Sequence, residues 1–112
     1  MADAYRGTCE LIGRGADFTA LMAISDSMAI AAVKALTDRG RRVPEDCSVI
    51  AIDGLELSNY MVPTLTTLCQ PAAELARESI RTLIEIIEGT GTHRHLLLET
   101  TLREGNSVIS LR

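Results

Sequence analysis

Aromatic side chains are almost missing from this chain: Tyr5, Phe18 and Tyr60 are all there are among 112 residues. A surface that stacks nucleobases needs more of them, close together. Positive charge is also short. Lysine occurs once, at Lys34, the arginines are spread along the chain, and the net charge is −4. That balance excludes the basic stripe with which a domain grips duplex DNA. No apolar run approaches the ~20 residues needed to cross a bilayer. Met1-Ala2-Asp3-Ala4 lacks the basic and apolar regions of a signal peptide. A cytoplasmic location with no membrane contact is therefore expected. Glycine-rich phosphate loops, internal repeats and low-complexity segments are absent as well.

The three cysteines, Cys9, Cys47 and Cys69, are an odd number at wide spacing. They form neither a zinc pattern nor a disulfide framework, so three buried thiols in a reducing compartment are expected. Cys47 has no base nearby in sequence to make it a nucleophile. His93 and His95 lack a third ligand and read as surface residues rather than a metal site.

What is present is apolar: 46% of the residues, enough for one small core. Two stretches dominate, Ala20-Leu21-Met22-Ala23-Ile24-Ser25-Asp26 and Ser48-Val49-Ile50-Ala51-Ile52-Asp53-Gly54. Each is an apolar run ending in an acidic tip, the pattern of a strand buried on both faces of a parallel sheet. A helical pattern between them completes a strand–helix–strand unit, which brings both strand ends to one sheet edge. Open α/β sheets bind ligands at that edge. Asp26 and Asp53 are thus expected side by side there, with Ser25 adding a hydroxyl. For Asp26 the competing role is a helix N-cap, and for Asp53 an Asx-turn.

In chain order, residues 3–13 have helical spacing weakened by Gly7 and Gly13. A helix this close to Met1 with no strand before it reads as a segment cut from something longer. Strands are predicted over 19–24, 47–52, 65–69 and 96–102, and helices over 28–39 and 71–88. Residues 53–64 form a loop long enough to suggest function. The second helix carries an apolar stripe of Leu75, Ile80, Leu83, Ile84 and Ile87 that needs a cover. Residues 105–112 read as a loose or edge segment.

Three spaced motifs resemble the lactose-repressor/galactose-repressor family. They are Thr19 to Ile30 (TALMAISDSMAI), Val43 to Gly54 (VPEDCSVIAIDG) and Pro63 to Pro71 (PTLTTLCQP). The resemblance covers about residues 16–107, ending in Leu102-Arg103-Glu104-Gly105-Asn106-Ser107. It implies an α/β fold: the parallel-sheet C-terminal lobe of a type I periplasmic-binding-protein-like fold, incomplete because the N-terminal lobe is missing. Residues 1–112 would be part of an effector-binding and dimerisation domain, with a helix at about 71–89 near the crossing between lobes. Members of that family regulate transcription through an N-terminal headpiece, absent here, so operator DNA would be reached only through that headpiece.

Residue by residue, Ser25 and Asp26 match the family's Asn-Asp tip, Asp53 its first strand-tip aspartate, and Gln70 a polar residue near the lobe crossing. Ser25 stands in place of the usual Asn, and Gly54 in place of a second acid. The resemblance implies a small-molecule effector, a sugar or related polyol or nucleobase, and a homodimer with Ile30, Tyr60 and Met61 as exposed apolar anchors. It implies no catalytic residue, cofactor or metal. The rival reading is a small α/β magnesium-dependent phosphotransfer or hydrolase domain using Asp26 and Asp53. That chemistry wants a lysine at the phosphoryl group, and Lys34 lies mid-helix.

Overall fold

The computed structural model describes residues 1–91 and 95–111. His93 lies outside the described residues; His95 is exposed. The chain divides into two compact units, one of residues 1–69 with 102–112 and one of residues 70–101.

The first unit begins with helix α1 (Ala2–Gly13). It forms despite Gly7, which lies mid-helix with open space around its Cα. Its packing against the next helix, α2 (Asp26–Asp38), outweighs the glycine's weak propensity. Three parallel strands follow, β1 (Ala20–Met22), β2 (Ser48–Asp53) and β3 (Thr66–Cys69), with β4 (Thr101–Arg103) beside β3. The sheet order is β1-β2-β3-β4, with Leu21 opposite Val49 and Ala51 opposite Thr67. Residues paired across a ladder share a sheet face. Leu21, Val49, Ala51 and Thr67 therefore share one face, and a core of Ala23, Ala29, Val33, Leu36, Cys47, Val49, Ala51 and Leu65 forms with α2.

Small side chains let α2 lie close to the sheet. Ala29, Ala31, Ala32, Ala35 and Leu36 are all buried. Burial on both faces does not hold for β1, where Met22 is 62% exposed, nor for Ile24 just beyond it, which is 75% exposed. β1 is the edge strand, and its residues alternate between the covered face and an open one. Three buried thiols were expected, but Cys47 alone is buried, and Cys9 and Cys69 are half-exposed. Burial pushes the Cys47 thiol above its ordinary pKa.

Residues 104–111 form no helix or strand, in keeping with a loose or edge segment, but one of them is firmly held. Ser107 is fully buried between β2 and β3. Its hydroxyl donates to the Val49 carbonyl (2.6 Å) and accepts from the Thr66 amide (2.8 Å), while its carbonyl accepts from the Val49 amide (2.7 Å). One side chain thus continues the ladder where the two strands diverge. Gly105 is required two residues earlier, since a Cβ there would lie within 3 Å of the Thr64 and Leu65 backbone. The predicted strand over 96–102 shrinks to Thr101–Arg103, and Leu97 is 98% exposed. An apolar run becomes strand only where a neighbour offers its edge.

In the second unit, α3 (Ala72–Ile87) follows Pro71 as the periodicity predicts. Arg81 pairs with Glu78 (2.9 Å) and Glu85 (3.6 Å) on its polar side. No residue of α3 is buried, and its apolar stripe stays exposed.

The α1–α2 contact carries a titratable link. The Tyr5 hydroxyl donates to Asp38 Oδ2 (2.8 Å), and Lys34 bonds the same carboxylate from the preceding helical turn. The hydrogen bond to Asp38 pushes the Tyr5 phenol up to about 12. Lys34 and Tyr5 hold Asp38 below the ordinary carboxylate range. A raised phenol pKa gives stability that is complete below the ordinary value near 10 and is lost as pH rises through about 12. In a Tyr60→Phe background, ultraviolet titration should place the remaining tyrosine at about 12, and Asp38→Asn should bring it back toward 10. Equal midpoints in the two proteins would show that the contact does not form in solution.

Candidate functional site

The carboxyl ends of β1, β2 and β3 point to one edge of the sheet, because all three strands are parallel. Ser25 and Asp26 follow β1, Asp53 ends β2, and Gln70 comes directly after β3.

Ser25 is the N-cap of α2. Its backbone is extended (φ −152°, ψ 153°) and its Oγ accepts from the Met28 amide at 3.2 Å. The capping role weighed for Asp26 therefore belongs to its neighbour. As an acceptor in the cap, the Ser25 hydroxyl keeps its proton to donate elsewhere.

Asp26 does not face the edge. It is fully buried, and both its oxygens accept bonds from the protein. The Leu55 amide (2.7 Å) and Ser58 hydroxyl (3.0 Å) reach Oδ2, and the Thr67 hydroxyl (2.5 Å) reaches Oδ1. The Arg103 guanidinium stands 4.0 Å from Oδ2. That arginine also donates to the carbonyls of Leu55 (3.1 Å) and Gly54 (3.5 Å) and to the Ser58 hydroxyl. Arg103, Ser58 and Thr67 were missed from the sequence. The signal for Arg103 was its place in the Leu102–Ser107 motif; nothing local marked the other two.

Asp53 is half-buried and carries the one positive φ among the described non-glycine residues, 137°. A side chain there costs ~1–3 kcal/mol in backbone strain, an outlier that points toward function. The next residue explains the tight turn. Gly54 has φ 80°, and a Cβ on it would meet Cys69 Sγ at 2.5 Å and Cα at 2.8 Å. The acid that the resemblance places there cannot be seated in this geometry without moving β3. After Gly54 the loop folds into a short 3-10 helix, Glu56–Asn59, where an irregular loop was expected.

Gln70 is exposed. Of the apolar anchors, Tyr60 is 76% exposed and Ile30 half-buried, while Met61 packs against the core rather than standing free. A cavity of about 440 Å³ lies elsewhere. Leu11, Leu21, Met22 and Met28 line it, and neither Asp53 nor Asp26 does. Among the described residues no three His, Cys, Asp or Glu side chains gather as a metal site.

Residues 4–108 match the periplasmic binding protein-like domain family. The chain is 37% identical over 108 residues to the HTH-type transcriptional regulator MalR of Clostridium butyricum, covering 96% of this chain and 32% of that protein. The chain belongs to this family, in its lactose-repressor branch. It is also 43% identical over 88 residues to the HTH-type transcriptional regulator AscG of Escherichia coli, covering 79% of this chain and 26% of that protein. Among solved structures, a Lac repressor dimer bound to operator and the anti-inducer ONPF superposes with a TM-score of 0.88 at 29% identity. That match covers 96% of this chain and 37% of the repressor chain. A CelR–cellobiose complex superposes with a TM-score of 0.85 at 36% identity, over 93% of this chain and 32% of the other. The chain thus spans about a third of the length of the curated relatives it matches first. Those relatives are transcriptional regulators, and no helix among the described residues is long and apolar enough to cross a membrane.

Because glycine has no Cβ to strain at positive φ, Asp53→Gly should stabilise the fold by about 1 kcal/mol. Urea unfolding checks this. A loss of stability of that size would mean that the side chain's own contacts, rather than a ligand, justify the strained backbone.

Proposed function

We propose that this chain is part of the effector-binding domain of a cytoplasmic transcription regulator, and that its ligand is a sugar or similar polyol met by the side chains at the carboxyl edge of the sheet. The observation that carries this reading is Asp53, a carboxylate held with φ 137° at the tip of β2. A carboxylate so placed accepts two hydroxyl hydrogens of a sugar in charge-assisted bonds. Ser25, already fixed by its cap bond, donates a third. Gln70 is the further candidate, on its position directly after Cys69. Asp26 serves the site from beneath. Support comes from relatives whose structures hold sugars, the CelR–cellobiose complex and a regulator from Arthrobacter in complex with lactose.

The regulator acts as a homodimer, with Ile30 and Tyr60 offering the apolar contact and Met61 supporting the loop from the core side. Operator DNA is reached through a headpiece outside these residues, and α3 marks the region where the chain passes between lobes. No enzymatic step is assigned. The phosphotransfer alternative needs a free pair of carboxylates, and both oxygens of Asp26 are occupied by protein donors.

Calorimetric titration of the regulator carrying this chain with cellobiose, lactose and ribose tests the reading. At least one sugar should bind, and Asp53→Asn should weaken it by about 1.5–3 kcal/mol, the range for hydrogen bonds to a charged group. Affinity unchanged by that substitution would remove Asp53 from the site.

A further inference from the structure

Asp53 sits between two fixtures. On its amino side the ladder pairs it with Cys69. On its carboxyl side the Gly54 carbonyl and both backbone polar groups of Leu55 are held by the buried cluster. The Gly54 carbonyl accepts from Arg103 Nη1. The Leu55 amide donates to Asp26, and the Leu55 carbonyl accepts from Arg103 Nη2 and from the Ser58 hydroxyl at 2.7 Å. Ser58 in turn lies within bonding reach of Asp26 and accepts from Arg103. The cluster draws one group from the start of α2, one from β3, one from the loop and one from β4.

These bonds fix the chain in the two residues directly after Asp53, where the backbone turns at a position strained for a side chain. We infer that Asp26, with Arg103 and Ser58, is a positioning residue of the effector site: it clamps Leu55 and so holds the Asp53 carboxylate in its strained backbone, without touching the ligand itself. This rests on the reading of Asp53 as the effector contact. The clamp is an ionic one. A full carboxylate accepts the Leu55 amide on one oxygen and the Thr67 hydroxyl on the other while facing the guanidinium, which an amide of the same shape does only in part.

Amide hydrogen exchange followed by NMR on the full 112-residue chain tests it. In Asp26→Asn, and to a smaller degree in Ser58→Ala, exchange at Leu55 should accelerate at least tenfold more than at Val49 and Ala51 in the adjacent ladder. A residue that merely stabilises the fold accelerates all three by the same factor, and that result would overturn the clamp. Leu55 exchange unchanged in both folded variants would overturn it equally. Cellobiose titration of Asp53→Asn, Asp26→Asn and the unaltered chain separates the two claims. Loosened Leu55 with affinity lost in both variants supports clamp and site together. Loosened Leu55 with affinity unchanged in Asp53→Asn overturns the effector reading while leaving the clamp standing.

Discussion

A carboxylate with no access to water organises the first unit. Burying an ion costs several kcal/mol unless its lone pairs are filled and a counter-charge stands close. Asp26 meets that condition by gathering the Leu55 amide, the Ser58 and Thr67 hydroxyls and the Arg103 guanidinium around it from three other segments, the loop after β2, β3 and β4. The requirement works in both directions. Each segment is fixed because the carboxylate needs its donor, and the carboxylate is tolerated because all of them arrive. Its neighbour Ser25 caps α2, so two adjacent polar residues at the end of β1 divide the labour between helix and loop.

The last residues of the chain perform a second, neutral version of the same task. Ser107 replaces missing ladder bonds between Val49 and Thr66, and Arg103 locks the loop after β2. A single short motif, Arg103-Glu104-Gly105-Asn106-Ser107, thereby ties down the amino ends of β2 and β3 and the loop beyond their carboxyl ends. Gly105 lets it pass against the Thr64–Leu65 backbone. An aspartate in a strained conformation at the sheet edge is affordable only on such a braced frame.

Much of the frame was legible in the residues. The apolar runs ending at Asp26 and Asp53, the Ala-rich face of α2 and the period of α3 gave strands and helices within a few positions of those observed. These features are local, and period and capping report them directly. The destination of Asp26 was not legible, because whether a strand-tip acid faces solvent or the interior depends on Ser58, Thr67 and Arg103, which lie 32 or more positions away. The burial of Ser107 escaped for the same reason: a serine looks exposed until two strands 41 and 58 positions upstream place their free backbone groups beside it. Met61 shows the limit of a resemblance, which supplied a role for the residue but not the direction of its side chain.

Family membership fixes the fold and the class of the relatives, while the ligand contact is a claim about a few atoms at one edge of this sheet. Amide chemical-shift mapping on addition of cellobiose reads that claim most directly. The largest shifts are expected at Ser25, Asp53 and Gly54, with Asp26 and Leu55 following through their shared hydrogen bond. Shifts centred instead on Leu11, Leu21 and Met28, around the apolar cavity between α1 and α2, would contradict it.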